Sequence, residues 1–241
     1  MMGNTAIVLA AGSGKRMNSA VAKQYLMLQD KPVIWYALKT FEESVIVDDC
    51  ILVVGSGEVE YCNKHIVEEY GFTKVRAVIE GGAERYLSVW EGLKWIAEHS
   101  DKDGQGIVFI HDGARPFVNE QMILDTYRAA KEYGACVAAM PVKDTIKIGD
   151  EEGFAVQTPN RKTVWMVQTP QVFDRSLITD AYRALVEQLD DLKEQGVEIT
   201  DDAMVVETMM GRKVKLVPTS YENIKITTPE DMKIAECLLV E

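Results

Sequence analysis

Basic residues follow a glycine-containing loop near the start of the chain, and this combination suits phosphate binding. The run Ala6–Ala10 is apolar throughout, which predicts a buried strand. It leads into the small-residue loop Ala11–Gly14, after which come the cations Lys15, Arg16 and Lys23. Glycines let backbone N–H groups approach a ligand, and Lys and Arg side chains pair with phosphate oxygens. At the carboxyl end of a strand in an α/β sheet, this arrangement predicts a nucleotide-phosphate site.

Two common phosphate-binding motifs do not fit this loop. The P-loop requires G-x-x-x-x-G-K-[ST], whereas Gly14-Lys15 is followed by Arg16 and lacks the earlier glycine. The dinucleotide fingerprint G-x-G-x-x-G requires a glycine where this chain has Met17. For this loop alone, a plain turn between a strand and a helix stays open as the alternative.

Two further loops follow predicted strands. Gly81-Gly82 opens the helix that contains Ser88, and its free N–H groups and hydroxyl suit a base or a ribose, with ordinary helix capping as the alternative. Asp112 ends an apolar run, where a carboxylate lies over the ligand crevice and suits a ribose hydroxyl or Mg²⁺ on phosphates. Arg115 offers a bidentate phosphate contact, or else an ion pair with Asp112 that shapes the turn.

The second half of the chain adds more polar candidates. Arg161 offers another phosphate anchor and Thr169 a hydroxyl donor, whereas Thr200 or Asp201 is first of all a helix N-cap. Lys225 lies in a short apolar, strand-like run, where a lysine is costly without an anionic partner.

These candidates are mostly cations, and no protein nucleophile accompanies them. The three histidines are dispersed, and neither G-x-S-x-G nor a Ser/His/Asp pattern occurs. Phosphoryl and nucleotidyl transfer need positioning and electrostatic stabilisation rather than a nucleophilic side chain. The sequence therefore favours that chemistry.

Composition sets the outer bounds. The chain has 241 residues and is 47% hydrophobic, which suits one α/β domain. Its net charge of -12 argues against general nucleic-acid binding but not against a small anionic ligand in a cleft lined by cations. Its four cysteines lack C-x-x-C spacing, so neither a zinc site nor a disulfide framework is indicated. Without a long apolar run or a signal peptide, we expect a cytoplasmic protein that does not enter a membrane.

Apolar runs alternate with helical patterns along the chain, which predicts a mostly parallel sheet with helices on both faces. The predicted strands are Ala6–Ala10, Cys50–Val54, Val75–Ile79, Ile107–Ile110, Ala135–Met140 and Val214–Val217. The predicted helices are Val33–Phe41, Glu58–Tyr70, Arg85–Ala97, Glu120–Tyr133, Arg175–Leu189, Asp201–Met210 and Pro229–Leu239.

One segment breaks this alternation. Asp144–Ile148 and Phe154–Thr158 flank the acidic, glycine-bounded turn Gly149–Gly153, which predicts a β-hairpin. An isolated hairpin is only marginally stable, so we expect it to pack on a second subunit or on its own domain.

Motifs along nearly the whole chain resemble the 2-C-methyl-D-erythritol 4-phosphate cytidylyltransferase family. From residue 6 to about residue 236 they are L-A-A-G-x-G-x-R-M, A-K-Q-Y, G-G-x-E-R-x-x-S-V, H-D-G-A-R-P-F, P-V-K-D-T-I-K, W-x-V-Q-T-P-Q-x-F, T-D-D-A and N-I-K-I-T-T-P-E-D. The resemblance implies a single Rossmann-like nucleotidyltransferase domain over residues 1–241 and Mg²⁺ dependence. It also implies a homodimer held by a β-hairpin arm at residues 143–160.

The resemblance also implies roles for individual residues. Arg16, Lys23, Arg161 and Lys225 would be the catalytic cations, with Arg16 and Lys23 at the α-phosphate of CTP. The CTP contacts would come from Ala10, Ala11, Gly12, Gly14, Lys15, Gly82, Ser88 and Asp112, of which Asp112 would also lie near the metal. The polyol phosphate would meet Arg161, Lys225, Arg115, Thr145, Thr169 and Thr200. The family often has an acidic residue where this chain has Ala83, so base recognition there would rely on backbone groups.

Two rival functions stay open on the sequence. Ribitol-5-phosphate cytidylyltransferases share the chemistry, but their relatives tend to have H-D-S-V-R-P and L-Y-Q-x-Q-T-P-Q, unlike Gly113-Ala114 and Trp165–Val167 here. A non-catalytic nucleotide-binding protein on the same fold is the other, and the four catalytic cations argue against it.

Overall fold

A seven-stranded sheet forms the centre of the protein in a computed structural model that describes residues 3–12, 22–99 and 105–239. Its strands are β1 (Thr5–Ala10), β4 (Asp49–Val54), β5 (Val75–Glu80), β6 (Ile107–Asp112), β7 (Ala135–Pro141), β10 (Trp165–Asp174) and β11 (Lys215–Pro218). They lie in the order β11-β7-β10-β6-β1-β4-β5, and every neighbouring pair is parallel except the two pairs that β10 makes. Two short strands, β2 (Met27–Leu28) and β3 (Lys31–Pro32), pair separately.

Helices cover both faces of this sheet, as the alternation predicted. Their bounds are α1 (Val33–Glu43), α2 (Val59–Cys62), α3 (Arg85–His99), α4 (Glu120–Tyr133), α5 (Arg175–Glu187), α6 (Leu189–Glu194), α7 (Asp202–Met210) and α8 (Pro229–Leu238). The predicted helix over 58–70 is α2 followed by a π-helical turn, Asn63–Glu68. Within the described ranges, no helix has the length and apolar character needed to cross a membrane.

The central strand β1 is buried on both sides, which explains its continuous apolar run. Ala6, Val8 and Ala10 join the core cluster that contains Phe41 of α1. Ile7, between them in sequence, joins the opposite cluster with Leu93 of α3. Because successive strand residues point to opposite faces, this one strand fastens both helical layers.

The strand β10 is an element that the sequence analysis missed. It runs antiparallel between β6 and β7, with a register irregularity between Val167 and Gln171. Pro170 and the glutamines on either side of it interrupt the apolar pattern that marks the other strands. Near its end, Val172 and Phe173 are fully buried.

The predicted hairpin is present but shorter than expected. Its strands are β8 (Ile148–Gly149) and β9 (Ala155–Gln157), joined by the acidic turn. Most side chains between residues 143 and 163 are exposed, including Phe154 at 67% and Val156 at 62%. Within a single chain the hairpin therefore does not bury its apolar residues against the domain.

Candidate active site

A cavity of about 350 Å³ opens at the carboxyl ends of β1 and β6 and beside the loop that follows β5. The carboxyl ends of parallel strands lie at one edge of the sheet, and α/β proteins bind their ligands at this edge. The lining residues are Leu9, Ala10, Ala11, Gly12, Lys23, Gln24, Gly82, Ala83, Glu84, Arg85, Ser88, Asp112, Ala114 and Lys225. Eight of them belong to the candidate site predicted from the sequence: Ala10, Ala11, Gly12, Lys23, Gly82, Ser88, Asp112 and Lys225.

Gln24 holds the start of the loop that follows β1. Its side-chain amide donates to the carbonyl of Ala10, the last residue of β1. A longer contact, 3.4 Å, reaches the carbonyl of Gly12. Gln24 is buried, while the preceding residue, Lys23, lines the cavity. The Gln24 side chain therefore anchors the A-K-Q-Y motif, and Lys23 faces the cavity.

The paired glycines after β5 permit a close backbone approach. A Cβ on Gly81 would lie 2.5 Å from Ser88 Oγ and 2.9 Å from the Ala11 Cβ, so only glycine fits there. The Ser88 hydroxyl contacts the carbonyl oxygens of Gly82 and Glu84, at 3.3 and 3.2 Å. These contacts bring the start of α3 against the end of β1, which makes one wall of the cavity.

Asp112, the last residue of β6, is surrounded by three cations. Its Oδ2 lies 2.7 Å from Lys225 Nζ and 3.9 Å from Arg115 Nε, and its Oδ1 lies 3.3 Å from Arg85 Nε. Burial opposes ionisation, but Arg85, then Lys225 and Arg115, outweigh it and hold the pKa of the Asp112 carboxyl well below its usual range. Asp112 is therefore a permanent anion at neutral pH, with both oxygens engaged.

Arg85 holds a second carboxylate, that of Asp202 at the start of α7. Nη1 and Nη2 of Arg85 each lie 2.8 Å from one oxygen of Asp202, which forms a bidentate pair. The Asp202 side chain is fully buried, and the Tyr182 hydroxyl of α5 also donates to it. Burial, and then the Asp202 charge, raises the pKa of Tyr182 well above its ordinary value, so this hydroxyl keeps the proton that it donates.

His111 and Thr169 fix the backbone of Asp112. The Asp112 N–H donates to Thr169 Oγ1, which lies 3.1 Å from His111 Nδ1. His111 Nε2 lies 3.1 Å from the Arg115 carbonyl, which can only accept, so the ring carries its proton on Nε2 and Thr169 donates to Nδ1. Burial lowers the pKa of His111 to about 4, so the imidazole is neutral at pH 7.

Lys225 reaches Asp112 because an irregular segment lies along the H-D-G-A-R-P loop. Ile226 N–H donates to the Ala114 carbonyl at 2.8 Å, and Arg115 Nη1 donates to the Asn223 carbonyl at 2.8 Å. Asn223 in turn donates to the Thr169 carbonyl. Thr228 then caps α8 in a capping box with Asp231, which fixes the direction of the chain after Lys225.

Arg115 and Thr169 lie beside the cavity rather than along it. Arg115 is partly buried against Asp112 and Asn223, which matches the ion pair that shapes the turn. The Thr169 hydroxyl contacts His111 and Asp112, as described above. In this conformation both side chains position Asp112.

Among the described residues, the predicted Arg161, Thr145 and Thr200 are not brought to the cavity within one chain. Arg161 is exposed and donates to the Lys143 carbonyl at 3.1 Å, at the base of the hairpin, and Thr145 is exposed on the same segment. Thr200 is exposed, with its hydroxyl 3.6 Å from Met204 Sδ, while Asp201 is the N-cap of α7. Gly14, Lys15 and Arg16 lie outside the described residues.

Four residues that organise this site have no role predicted from the sequence: Gln24, Arg85, Asp202 and Asn223. All four occur inside the motifs A-K-Q-Y, G-G-x-E-R, T-D-D-A and N-I-K-I-T-T-P-E-D. A polar residue in a short motif was the signal that could have drawn attention to each of them. The residues that they contact are distant in the sequence, so the contacts themselves could not be predicted.

The donor set at the cavity limits how a metal would bind. In the part of the chain that the structure describes, no cluster of three or more His, Cys, Asp or Glu side chains could hold a metal ion. Asp112 and Glu84 are the carboxylates that line the cavity. Mg²⁺ is often bound by one or two carboxylates together with substrate phosphates. Asp112 and Glu84 therefore fit a Mg²⁺ ion whose ligands come largely from the phosphates of a bound substrate.

Comparisons with known proteins agree over the full length of the chain. The family model described as IspD, 2-C-methyl-D-erythritol 4-phosphate cytidylyltransferase, matches residues 4–241. A relative with that name from Lachnospira eligens is 51% identical over 236 residues, which cover 98% of this chain and 99% of the relative. A relative with the same name from Lachnoclostridium phytofermentans is 48% identical, with 98% and 96% covered. The crystal structure of 4-diphosphocytidyl-2C-methyl-D-erythritol synthase from Anaerococcus prevotii is similar with a TM-score of 0.80, at 35% identity over 99% of this chain and 96% of that one.

Proposed function

This chain belongs to the 2-C-methyl-D-erythritol 4-phosphate cytidylyltransferase family, and we propose that its cavity carries out that reaction. The enzyme transfers the cytidylyl group of CTP to 2-C-methyl-D-erythritol 4-phosphate in isoprenoid precursor biosynthesis. The products are 4-diphosphocytidyl-2-C-methyl-D-erythritol and pyrophosphate. The observation that carries the proposal is the buried anion Asp112 between Arg85 and Lys225, at the strand ends where the glycine loop and Lys23 also meet.

CTP occupies the side of the cavity formed by β1 and the start of α3. Ala10, Ala11, Gly12, Gly82 and Ser88 line that side and offer backbone groups and small side chains. Asp112 faces the ribose. Lys23, with Arg16 and Lys15 of the glycine loop, stabilises the triphosphate and the charge that develops at the α-phosphorus.

The reaction is an in-line displacement. An oxygen of the 4-phosphate attacks the α-phosphorus of CTP, the new P–O bond forms, and the bond to the bridging oxygen breaks so that pyrophosphate leaves with the electron pair. A phosphate monoester has a second pKa of about 6, so it is already a dianionic nucleophile near pH 7 and needs no general base. The contribution of the protein is to position the two substrates and to place cations around the transition state.

Lys225 holds the polyol phosphate on the other side of Asp112. Its ammonium is already paired with Asp112, which directs it into the cavity. Arg115 and Thr169 support this pocket through Asp112, which they position, whereas Thr200 lies outside the cavity within one chain. Arg161 and Thr145 are carried by the exposed hairpin, so they act when the hairpin meets another subunit.

The arm at residues 143–160 holds a homodimer. Ile148, Phe154 and Val156 are large apolar side chains left exposed on it, and the neighbouring Met166 and Val167 are exposed as well. Burial of such a surface is the usual basis of subunit association. One nucleotidyltransferase domain with this arm accounts for the whole chain.

Mg²⁺ is the cofactor, and it binds with the triphosphate. When bound, it neutralises charge on the phosphates of CTP and of the departing pyrophosphate. Asp112, with Glu84 as the other carboxylate at the cavity, would hold it together with phosphate oxygens. We place the enzyme in the cytoplasm, where its four unpaired thiols stay reduced.

Pyrophosphate release by the purified protein tests this function. The protein is given CTP and Mg²⁺ with either 2-C-methyl-D-erythritol 4-phosphate or ribitol 5-phosphate, and a parallel sample contains a chelator. Turnover with the first polyol alone, lost on chelation, supports the proposal. Turnover with ribitol 5-phosphate alone would assign the chain to the sister reaction, and no turnover with either would leave a nucleotide-binding protein.

A further inference from the structure

Tyr182 and Asp202 lie behind the active site and are not among the residues that line the cavity. We infer that they form a positioning pair for Arg85, which aligns the Asp112 carboxylate for cytidylyl transfer. This inference deepens the proposed function and rests on it. Its elements come from three separate helices, because Arg85 begins α3, Tyr182 lies in α5 and Asp202 begins α7.

Arg85 divides its donors between the two carboxylates of Asp112 and Asp202. Nη1 and Nη2 hold the two oxygens of Asp202 at 2.8 Å, and Nε reaches Oδ1 of Asp112 at 3.3 Å. A planar guanidinium presents these donors in a fixed fork, so the bidentate pair sets the direction of Nε. A lysine could supply the charge but not this geometry.

The buried charge of Asp202 is costly and needs a cation. Asp202 is fully buried and would be strongly destabilising without a cation. Arg85 supplies that cation, and the Tyr182 hydroxyl supplies a further hydrogen bond. Water does not reach the buried Asp202 carboxylate, so its pairing with Arg85 is not exchanged for hydration. Arg85 therefore stays in one orientation even though it lines the cavity.

The start of α7, which carries Asp202, is itself held in place by hydrogen bonds. Gln171 of β10 accepts from Ala203 N–H at 2.9 Å and donates to Asp201 Oδ2 at 3.0 Å. Asp201 caps the helix through Met204 N–H. The motifs Q-T-P-Q and T-D-D-A thus fix Asp202 at the back of the site, which gives them a shared role.

The charge balance supports a positioning role. Arg85, Arg115 and Lys225 face Asp112 and Asp202, so the cluster carries one excess positive charge. Loss of the Asp202 charge would release Arg85 toward the anionic substrate and away from Asp112. The site would keep its cations but lose their arrangement.

A double-mutant cycle on kcat/KM for CTP tests the inference. We expect Asp202→Asn and Arg85→Lys each to lower kcat/KM about 100-fold, because each breaks the same bidentate pair. The double variant should have about the same kcat/KM as the less active of the two single variants, because the effects of substituting interacting residues are not additive. Tyr182→Phe keeps the ring and should lower kcat/KM by about threefold to tenfold, as loss of one hydrogen bond to a charged group.

Asp49→Asn is the matched control. Asp49 is also a buried carboxylate paired with an arginine, Arg76, but it begins β4 at the opposite end of the strands. This variant should lower the melting temperature without changing kcat/KM. All values are normalised to the folded fraction, measured as the stoichiometry of CTP binding by calorimetry.

Three results would overturn the inference. One is a double variant whose loss equals the product of the single losses, which would show that Arg85 and Asp202 act independently. Another is full activity in Asp202→Asn or Tyr182→Phe. The third is an equal loss of kcat/KM in Asp49→Asn, which would reduce the effect to general stability. If the wild type is inactive with 2-C-methyl-D-erythritol 4-phosphate, the proposed function fails, and the same cycle on CTP affinity still decides whether Arg85 and Asp202 are coupled.

Discussion

Lys225 Nζ lies 2.7 Å from Asp112 Oδ2, which joins an irregular segment near the end of the chain to the last residue of a central strand. The sequence predicted that a lysine in this apolar run needs an anionic partner, and the structure confirms one. The pair directs the ammonium toward the cavity that both residues line.

This pairing predicts the effect of Lys225→Ala. KM for the polyol phosphate should rise about 10-fold to 100-fold, with a smaller change in kcat, because the lost charge binds that phosphate in both the ground state and the transition state. Steady-state kinetics with the polyol phosphate varied provide the measurement. Lys215→Ala is the control, since Lys215 lies on β11 with its ammonium 5.2 Å from the Tyr133 ring centroid. An unchanged KM in Lys225→Ala would remove Lys225 from the polyol phosphate pocket.

Lys23 should show the opposite pattern. In Lys23→Ala, kcat should fall about 100-fold or more while KM for CTP changes much less, because the cation stabilises charge that develops in the transition state. Arg16→Ala should behave in the same way. The control is Lys64→Ala, an exposed lysine in the π-helical turn. If KM for CTP alone rises in Lys23→Ala, the residue contributes ground-state binding only.

The lowered pKa of His111 predicts how the stability of the protein depends on pH. Its pKa is about 4 in the folded protein and ordinarily 6.5, so between these values the unfolded chain binds more protons at this site. Stability should therefore fall as the pH drops from 6.5 toward 4, by about 3 kcal/mol from this group at most. The Asp112 carboxyl, whose pKa is lowered, loses its contribution only at more acidic pH.

Titration of the His111 ring by NMR is the direct check, together with urea unfolding at several pH values. A folded-state pKa near 6.5 for His111 would contradict the buried, neutral ring. So would a stability that does not change between pH 6.5 and 4.

The arm predicts the oligomeric state. The wild type should sediment as a dimer, and the double substitution Phe154→Asp with Val156→Asp should yield a monomer, because two charges would replace exposed apolar side chains on the interface. The monomer should also lose kcat/KM for the polyol phosphate, since Arg161 and Thr145 would no longer meet a partner site. Val45→Asp is the control, at a valine that is 89% exposed outside the arm. A monomeric wild type, or a fully active double variant, would contradict the role of the arm.

Much of the fold follows from local patterns. The apolar runs of β1, β4 and β6 and the helix of residues 120–133 have the predicted positions because buried parallel strands and amphipathic helices carry strong periodic signals. The strand β10 was missed because Pro170 and polar residues break its pattern. The hairpin was predicted too long, since strand-like composition does not show where pairing ends.

The site was only partly predictable for a different reason. The glycine loop, Asp112 and Lys225 stand out because each is unusual in its local context. Arg85 and Asp202 are 117 residues apart, and their pairing depends on how three helices pack. Arg115 and Thr169 look like ligand contacts in the sequence, yet their hydrogen bonds are made to the protein itself.

The fate of isotopically labelled phosphate oxygens tests the central claim most directly. 2-C-methyl-D-erythritol 4-phosphate carrying oxygen-18 on its phosphate is incubated with the wild-type protein, CTP and Mg²⁺, and the products are analysed by mass spectrometry and phosphorus NMR. We expect oxygen-18 in the bridge between the two phosphorus atoms of the cytidyl product, and unlabelled pyrophosphate. Labelled pyrophosphate, or release of CMP without a cytidyl polyol product, would contradict direct attack by the polyol phosphate on the α-phosphorus of CTP.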